Sequence, residues 1–221
     1  VTRPSLVIFD CDGVLVDSET VSNRVLADNL ARHGLRLSLA DTMATFIGRS
    51  MVGVRDTALD MGAELPGDWI DLIYAETYAA LRAGVEVIAG IPALLDRLDA
   101  TGIPYCVASN GSAEKMDITL GQTGLAPRFD GRRWSAHELG VAKPDPGLFF
   151  HAAAAEGVAP PGCVVVEDSA SGAEAAHRAG MRCLGYVPEG HPDRLSAWGA
   201  TVIRRMDAVA AHIGLGPDQS V

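Results

Sequence analysis

Asp10-Cys11-Asp12-Gly13 sets two carboxylates two residues apart, and three later stretches carry groups that match them. These are Ser109-Asn110-Gly111, Lys143 in the proline-stiffened Ala142-Lys143-Pro144-Asp145-Pro146, and Glu167-Asp168-Ser169. Brought together they would supply four carboxylates (Asp10, Asp12, Glu167, Asp168), one hydroxyl and one ammonium group. Carboxylates around one point repel unless a cation neutralises them, and an oxygen set without His or Cys favours Mg²⁺ over zinc. Such an ion is held by one or two carboxylates, with water and substrate phosphate completing its shell. Lys143 adds positive charge suited to phosphate. Ser109 and the backbone amides after it, from Asn110 on, can donate to phosphate oxygens. An Asp facing phosphorus can be the nucleophile and form an aspartyl-phosphate, the role expected of Asp10. Asp12 can protonate the leaving oxygen and then activate water.

Singly, each signal is weak. A lone Asp at a strand end commonly forms a turn or caps a helix. Glu167-Asp168 would complement a helix dipole, and KPDP by itself is a turn. Their order and placement carry the argument, which requires the elements around them. SLVIFD (5–10), IPYCVAS (103–109), CVVVE (163–167) and MRCLGYV (181–187) are continuously apolar and read as strands buried on both faces; TVIRR (201–205) is a weaker fifth. Between them, 92–102 places Leu94, Leu95 and Leu98 at helical spacing before Gly102. The stretch 146–157 opens with Pro and closes with Gly, and 169–180 has Ser171 as its expected cap. Alternating strands and helices predict a doubly wound, Rossmann-like parallel α/β sheet, with ligands beyond the carboxyl ends of the strands. All four chemistry-bearing stretches fall at such an end or in the matching loop.

One interval breaks the rhythm. More than ninety residues separate Asp10 from Ser109, and most read as helix: 19–34, 41–47, 51–63 and 67–84, divided by Gly34, Gly48 and Pro66-Gly67. The expected organisation is a core domain of 1–17 and 87–221 with a helical insert over 18–86. The GLGPDQSV tail is expected to be loose.

Composition excludes several classes. The 221 residues include 18 Lys+Arg and 28 Asp+Glu, a net charge of −10, which is unsuited to a nucleic-acid backbone. Two of the basic residues are lysines, Lys115 and Lys143. No run approaches the roughly 18 apolar residues of a membrane span, and the first residues show no signal-peptide core. Cys11, Cys106, Cys163 and Cys183 lack zinc-ligand spacing and read as reduced residues of a cytoplasmic protein. The expected partner is a small phosphorylated metabolite, with no nucleic acid and no membrane, for a monomer or weak homo-oligomer.

With these motifs in order, the sequence resembles the haloacid dehalogenase superfamily, in the branch of β-phosphoglucomutase, phosphoglycolate phosphatase and bacterial sugar-phosphate phosphatases. The family's DxDGxxxDS/T stands as DCDGVLVDS (Asp10 to Ser18), its serine as Ser109 of VASNGS, its lysine as Lys143 of AKPDP and its acidic pair as Glu167-Asp168 of VVVEDSASG. The resemblance implies that Asp10 is nucleophile and Mg²⁺ ligand, and that Asp12 is acid/base with its carbonyl on the metal. Ser109 and Lys143 would hold the phosphoryl group, Asp168 would bind Mg²⁺, and Glu167 would do so directly or through water. Asp12 sets the chain apart from haloalkanoate dehalogenases, which lack that acid. The absence of lysine between Val1 and Glu114 excludes the cap imine of phosphonatases. The insert matches the family's helical cap, whose candidate specificity loop is Phe46-Ile47-Gly48-Arg49-Ser50, with Arg49 a candidate for a second polar group of the substrate. The implied activity is Mg²⁺-dependent hydrolysis of a small phosphomonoester, a sugar phosphate or phosphorylated short acid. The alternatives are a phosphomutase of the β-phosphoglucomutase type and a non-catalytic binder of a phosphorylated ligand.

Overall fold

The computed structural model describes residues 2–46 and 49–216. The chain divides into two compact units, Val1–Val16 with Val87–Val221, and Asp17–Glu86.

In the larger unit, β1 (Leu6–Phe9) leads, past the segment of the other unit, to α5 (Ile91–Thr101), β2 (Tyr105–Ser109) and α6 (Ala113–Gln122). There follow β3 (Arg133–Ser135), α7 (Ala136–Leu139), α8 (Gly147–Ala155) and β4 (Cys163–Glu167). The chain then runs through α9 (Ala170–Arg178), β5 (Arg182–Tyr186), α10 (Asp193–Ser196), β6 (Thr201–Ile203) and α11 (Asp207–His212). The six strands form one sheet in the order β3-β2-β1-β4-β5-β6, every neighbouring pair parallel. β1 pairs with β2 on one side and β4 on the other. It therefore lies where the winding reverses, the place where such sheets open a crevice at their carboxyl ends.

Side-chain alternation sorts the core. Leu6, Ile8, Cys106, Ala108, Cys163 and Val165 pack with the apolar sides of α8 and α9 in one cluster. On the other face Tyr105 meets Phe9 and Phe129 edge-on, with ring centroids 6.4 and 5.4 Å apart. The structure adds a strand, β3, to the five expected. Its three residues, Arg133-Trp134-Ser135, are too short and too mixed to show a β pattern, and pairing with β2 makes them a strand. A second correction concerns α9. Its cap is Ser169, whose hydroxyl accepts from Gly172 N, rather than Ser171. The Ser169 backbone is still extended, as a cap must be, whereas Ser171 lies inside the first turn.

The smaller unit is helical: α1 (Ser18–Arg32), α2 (Leu39–Phe46), α3 (Met51–Asp60) and α4 (Trp69–Ala83). Leu26, Leu30, Phe46, Val54, Ala58, Trp69 and Ile73 form its core. Trp69 buries an indole N–H, which donates to Asn29 Oδ1 at 2.7 Å. Asn29 Nδ2 donates in turn to Glu76 Oε2, which also pairs with Arg32. Among the described residues, no helix is long and apolar enough to cross a membrane.

Candidate active site

β1 ends at Phe9 and projects Asp10 from the middle of the sheet. Asp10 N donates to Val166 O at 3.0 Å, tying the start of the loop to β4. The loop then turns tightly, with Gly13 N donating to Val16 O at 2.9 Å. Gly13 has φ +76°, and a Cβ there would stand 2.2 Å from Asp168 Oδ2. A side chain at 13 would thus be strained and would evict the Asp168 carboxylate from its place against this loop.

Lys143 enters on the loop before α8, ahead of a cis Lys143–Pro144 peptide. Asn110, just past β2, clamps that loop. Lys143 N donates to Asn110 Oδ1 at 2.9 Å, and Asn110 Nδ2 donates to Lys143 O at 3.2 Å. Both ends of the amide are thereby engaged, so the side chain of Asn110 holds the lysine loop, while the phosphate contact expected here belongs to the backbone amides after Ser109. The Lys143 ammonium donates to Asp10 Oδ1 at 2.5 Å and to Glu167 Oε1 at 2.8 Å, with the Phe149 ring centroid 5.1 Å away.

Glu167 closes β4 and is almost wholly buried. Its Oε2 accepts from Ser169 N and Ser169 Oγ, at 2.6 and 2.8 Å. Gly172 leaves room for the carboxylate, since a Cβ there would lie 1.8 Å from Oε1. Both oxygens accept from the chain, and Oε1 holds Lys143 in place. Ser109, buried at the end of β2, accepts from Gly111 N through its hydroxyl at 3.0 Å. Asp12 Oδ1 pairs with the Lys115 ammonium on α6 at 2.8 Å.

The electrostatics follow from this crowding. Burial pushes the Asp10 carboxyl up to about 7; Lys143 opposes that rise, while Glu167 and Asp12 add to it. Burial works against the charge of Lys143, yet Asp10 and Glu167 outweigh it and hold its pKa above the ordinary lysine value. Lys115 behaves likewise, with burial outweighed by Asp12. Cys11 lies between the two aspartates but is fully buried, and burial raises its pKa well above that of an ordinary thiol, so it is held as the inert thiol.

Asp10, Asp12, Ser109, Asn110, Lys143, Glu167 and Asp168 all belong to the larger unit and stand at the carboxyl ends of β1, β2 and β4 or on the α7–α8 loop. Arg49 belongs to the helical unit, where it is exposed and its Nε donates to Thr45 O at 3.1 Å. Ile47 and Gly48 of the candidate specificity loop lie outside the described residues. Lys115 is the residue that the motif reading passed over. Its signal was present, because it is one of only two lysines in the chain and follows Ser109 by six residues.

The larger unit is thus a doubly wound α/β domain whose crevice at the reversal point of its 3-2-1-4-5-6 sheet holds paired aspartates and a buried lysine between two carboxylates. Residues 4–180 match the model of the haloacid dehalogenase-like hydrolases, and the chain belongs to that family. It is 33% identical over 192 residues to the 6-phosphogluconate phosphatase of Escherichia coli K12, covering 86% of each protein. A haloacid dehalogenase-like protein of unknown function from Agrobacterium tumefaciens superposes with a TM-score of 0.86 at 36% identity, covering 95% of this chain and 97% of the other. A family hydrolase of Deinococcus radiodurans, solved with bound phosphate and sodium, gives 0.84 at 31% identity and covers 98% of this chain and 99% of its own.

Proposed function

We propose that the protein is a Mg²⁺-dependent phosphatase that hydrolyses a small phosphomonoester, a sugar phosphate or phosphorylated short acid, through an aspartyl-phosphate on Asp10. The observation that carries this reading is the Lys143 ammonium between Asp10 and Glu167, at 2.5 and 2.8 Å. It fixes the nucleophile's rotamer and places positive charge where phosphoryl oxygens would come to rest. The family and the 6-phosphogluconate phosphatase relative support it.

The residues present suit a divalent cation. Asp10, Asp12, Glu167 and Asp168 supply oxygen donors of the hard kind that Mg²⁺ takes, at the ends of neighbouring strands β1 and β4. Among the described residues no three His, Cys, Asp or Glu side chains are gathered into a ready-made metal cage. Mg²⁺ does not need one, being commonly held by one or two carboxylates with the remaining positions filled by other oxygens. Asp10, Asp168 and the main-chain carbonyl of Asp12 would hold it, with Glu167 acting through water. When bound it would neutralise the charge of the substrate phosphate and of the carboxylates around it.

In the first half-reaction an Asp10 oxygen bonds to phosphorus and the ester P–O bond breaks. The leaving oxygen keeps the bonding pair and takes a proton from Asp12. In the second half-reaction a water oxygen bonds to phosphorus, its proton passes to Asp12, and the P–O pair returns to Asp10. Ser109 and Lys143 hold the phosphoryl oxygens throughout. The helical unit, with Arg49, is proposed as the cap that excludes water and selects the substrate. The test is phosphate release from a panel of small phosphomonoesters with and without Mg²⁺, ranked by kcat/KM. Release that needs the metal and favours one sugar or sugar-acid phosphate is the expected result; no release from any ester would refute the reading.

A further inference from the structure

Lys115 occupies a position where helix electrostatics argue against it. It is the third residue of α6, and its N–H donates to the Ser112 cap at 3.1 Å. In a capping arrangement that place suits Glu or Gln, and the partial positive charge of the helix start disfavours a cation. The chain spends one of its two lysines there. The side chain is only 22% exposed, and its ammonium is drawn to Asp12 Oδ1 at 2.8 Å. Gly111 borders this contact closely. A Cβ at Gly111 would stand 3.3 Å from Asp12 Oδ2, 3.2 Å from Ser109 Oγ and 3.6 Å from Lys115 Cδ. The lysine stem and the Asp12 carboxylate thus share the space that Gly111 leaves open. Oδ1 is the oxygen turned to Lys115, and Oδ2 borders the same space at Gly111. Ser135 Oγ donates to Gly111 O at 2.8 Å and fixes that backbone in turn.

We infer that Lys115 is the positioning residue for Asp12, holding its carboxylate in the orientation that accepts a proton from the water attacking the Asp10 phosphoryl group. This rests on the role of Asp12 proposed above. A charge-assisted bond to one oxygen restrains rotation of the carboxylate, and the Asp12 carboxylate and the Ser109 hydroxyl both border the open space at Gly111, beside which Ser109 would hold the phosphoryl group. The atoms move as in the second half-reaction already given: oxygen of water to phosphorus, its proton to Asp12, the bonding pair back to Asp10.

The half-reactions separate with p-nitrophenyl phosphate, whose nitrophenolate leaves without needing a proton. Lys115→Met, Lys115→Arg and Asp12→Asn would be compared with the unmodified enzyme by rapid-mixing kinetics with Mg²⁺. For Lys115→Met the expected result is a burst of nitrophenolate followed by a steady rate at least about tenfold slower. KM should fall along with kcat, leaving kcat/KM within about threefold, because that ratio reports the first half-reaction. Lys115→Arg, which keeps the charge and the donors, should recover most of the steady rate. Burst amplitude counts competent sites, so loss of folded protein cannot imitate a slowed second phase. A burst in Asp12→Asn but none in either Lys115 variant overturns the inference while leaving the role of Asp12 standing. A raised KM with unchanged kcat in Lys115→Met also overturns it, by making Lys115 a substrate contact. If the unmodified enzyme turns over but Asp12→Asn shows no burst and no loss of rate, the Asp12 role fails and the inference falls with it. An unmodified enzyme that releases no nitrophenolate or phosphate from any ester overturns both.

Discussion

The Lys143 ammonium lies 2.5 Å from Asp10 Oδ1, with the two side chains only 2% and 10% exposed. A lysine this deeply buried is stable as a cation because Glu167 supplies a second carboxylate at 2.8 Å. The proposed nucleophile is therefore held by one residue, which is held by another. Three backbone segments far apart in sequence meet at a single nitrogen atom.

Asp10→Asn should abolish turnover and leave the fold intact. The amide keeps the size of the side chain and an oxygen facing Lys143, but it is no nucleophile and a poor metal ligand. The loss should be several orders of magnitude in kcat. Phosphate release by protein with an unchanged circular dichroism spectrum measures it, and a residual rate above a few per cent contradicts the aspartyl-phosphate route.

The same residue gives a pH signature. Its carboxyl is pushed from 3.8 up to about 7 in the folded protein, chiefly by burial. The folded state thus binds a proton that the unfolded state has released between these values. In metal-free protein, the stability contributed by the protonated group is fully present below the ordinary carboxylate range and is lost as pH rises towards about 7. Asp10→Asn removes that part of the slope. Mg²⁺ should counter it, because binding requires the carboxylate and so strengthens with rising pH. Denaturant titrations across this range, in chelator and in Mg²⁺, read both effects, and identical slopes for the unmodified protein and Asp10→Asn would contradict the shift.

Asp168→Ala and Lys143→Ala should both impair catalysis, but only the former should raise the Mg²⁺ requirement strongly. Asp168 is proposed as a direct ligand, whereas Lys143 acts on the nucleophile and the phosphoryl oxygens. Activity titrated against Mg²⁺ separates them; matching midpoints would contradict the division of roles. Lys143→Ala should in addition lower stability by about 3 kcal/mol or more, because it leaves two buried carboxylates without their cation.

Hydrolysis should prevail over phosphoryl transfer to a sugar. A mutase must keep water out while a hydroxyl attacks, and must grip a second phosphate. The resemblance places Ser22 where β-phosphoglucomutases carry a His ten residues after the second Asp, and the helical insert contains no lysine. β-Glucose 1-phosphate with a trace of glucose 1,6-bisphosphate should yield little glucose 6-phosphate. Isomer and inorganic phosphate are followed in one tube; isomerisation faster than phosphate release from any ester would favour the mutase.

From the sequence alone, the strands β1, β2, β4 and β5 and the major helices were legible because a parallel sheet buried on both faces demands continuous apolar runs, with glycine and proline marking helix ends. Asp10, Asp12, Ser109 and Asp168 stood out as candidates because each lies at or just past the end of such a run, and Lys143 because it is one of two lysines, set in a proline-stiffened loop. What only the tertiary structure decided is which side chain serves which. β3 is too short to carry a pattern and becomes a strand by pairing with β2. Asn110 turns its amide to the Lys143 backbone, 33 residues away. Glu167 spends its oxygens on Lys143 and Ser169, and Gly13 and Gly172 are glycines because carboxylates occupy the places of their missing Cβ atoms. Lys115 reaches Asp12 across more than a hundred residues. Residue type and spacing along a chain encode local periodicity and chemical capacity, whereas these pairings depend on distances set by sheet winding and packing, which no local pattern contains.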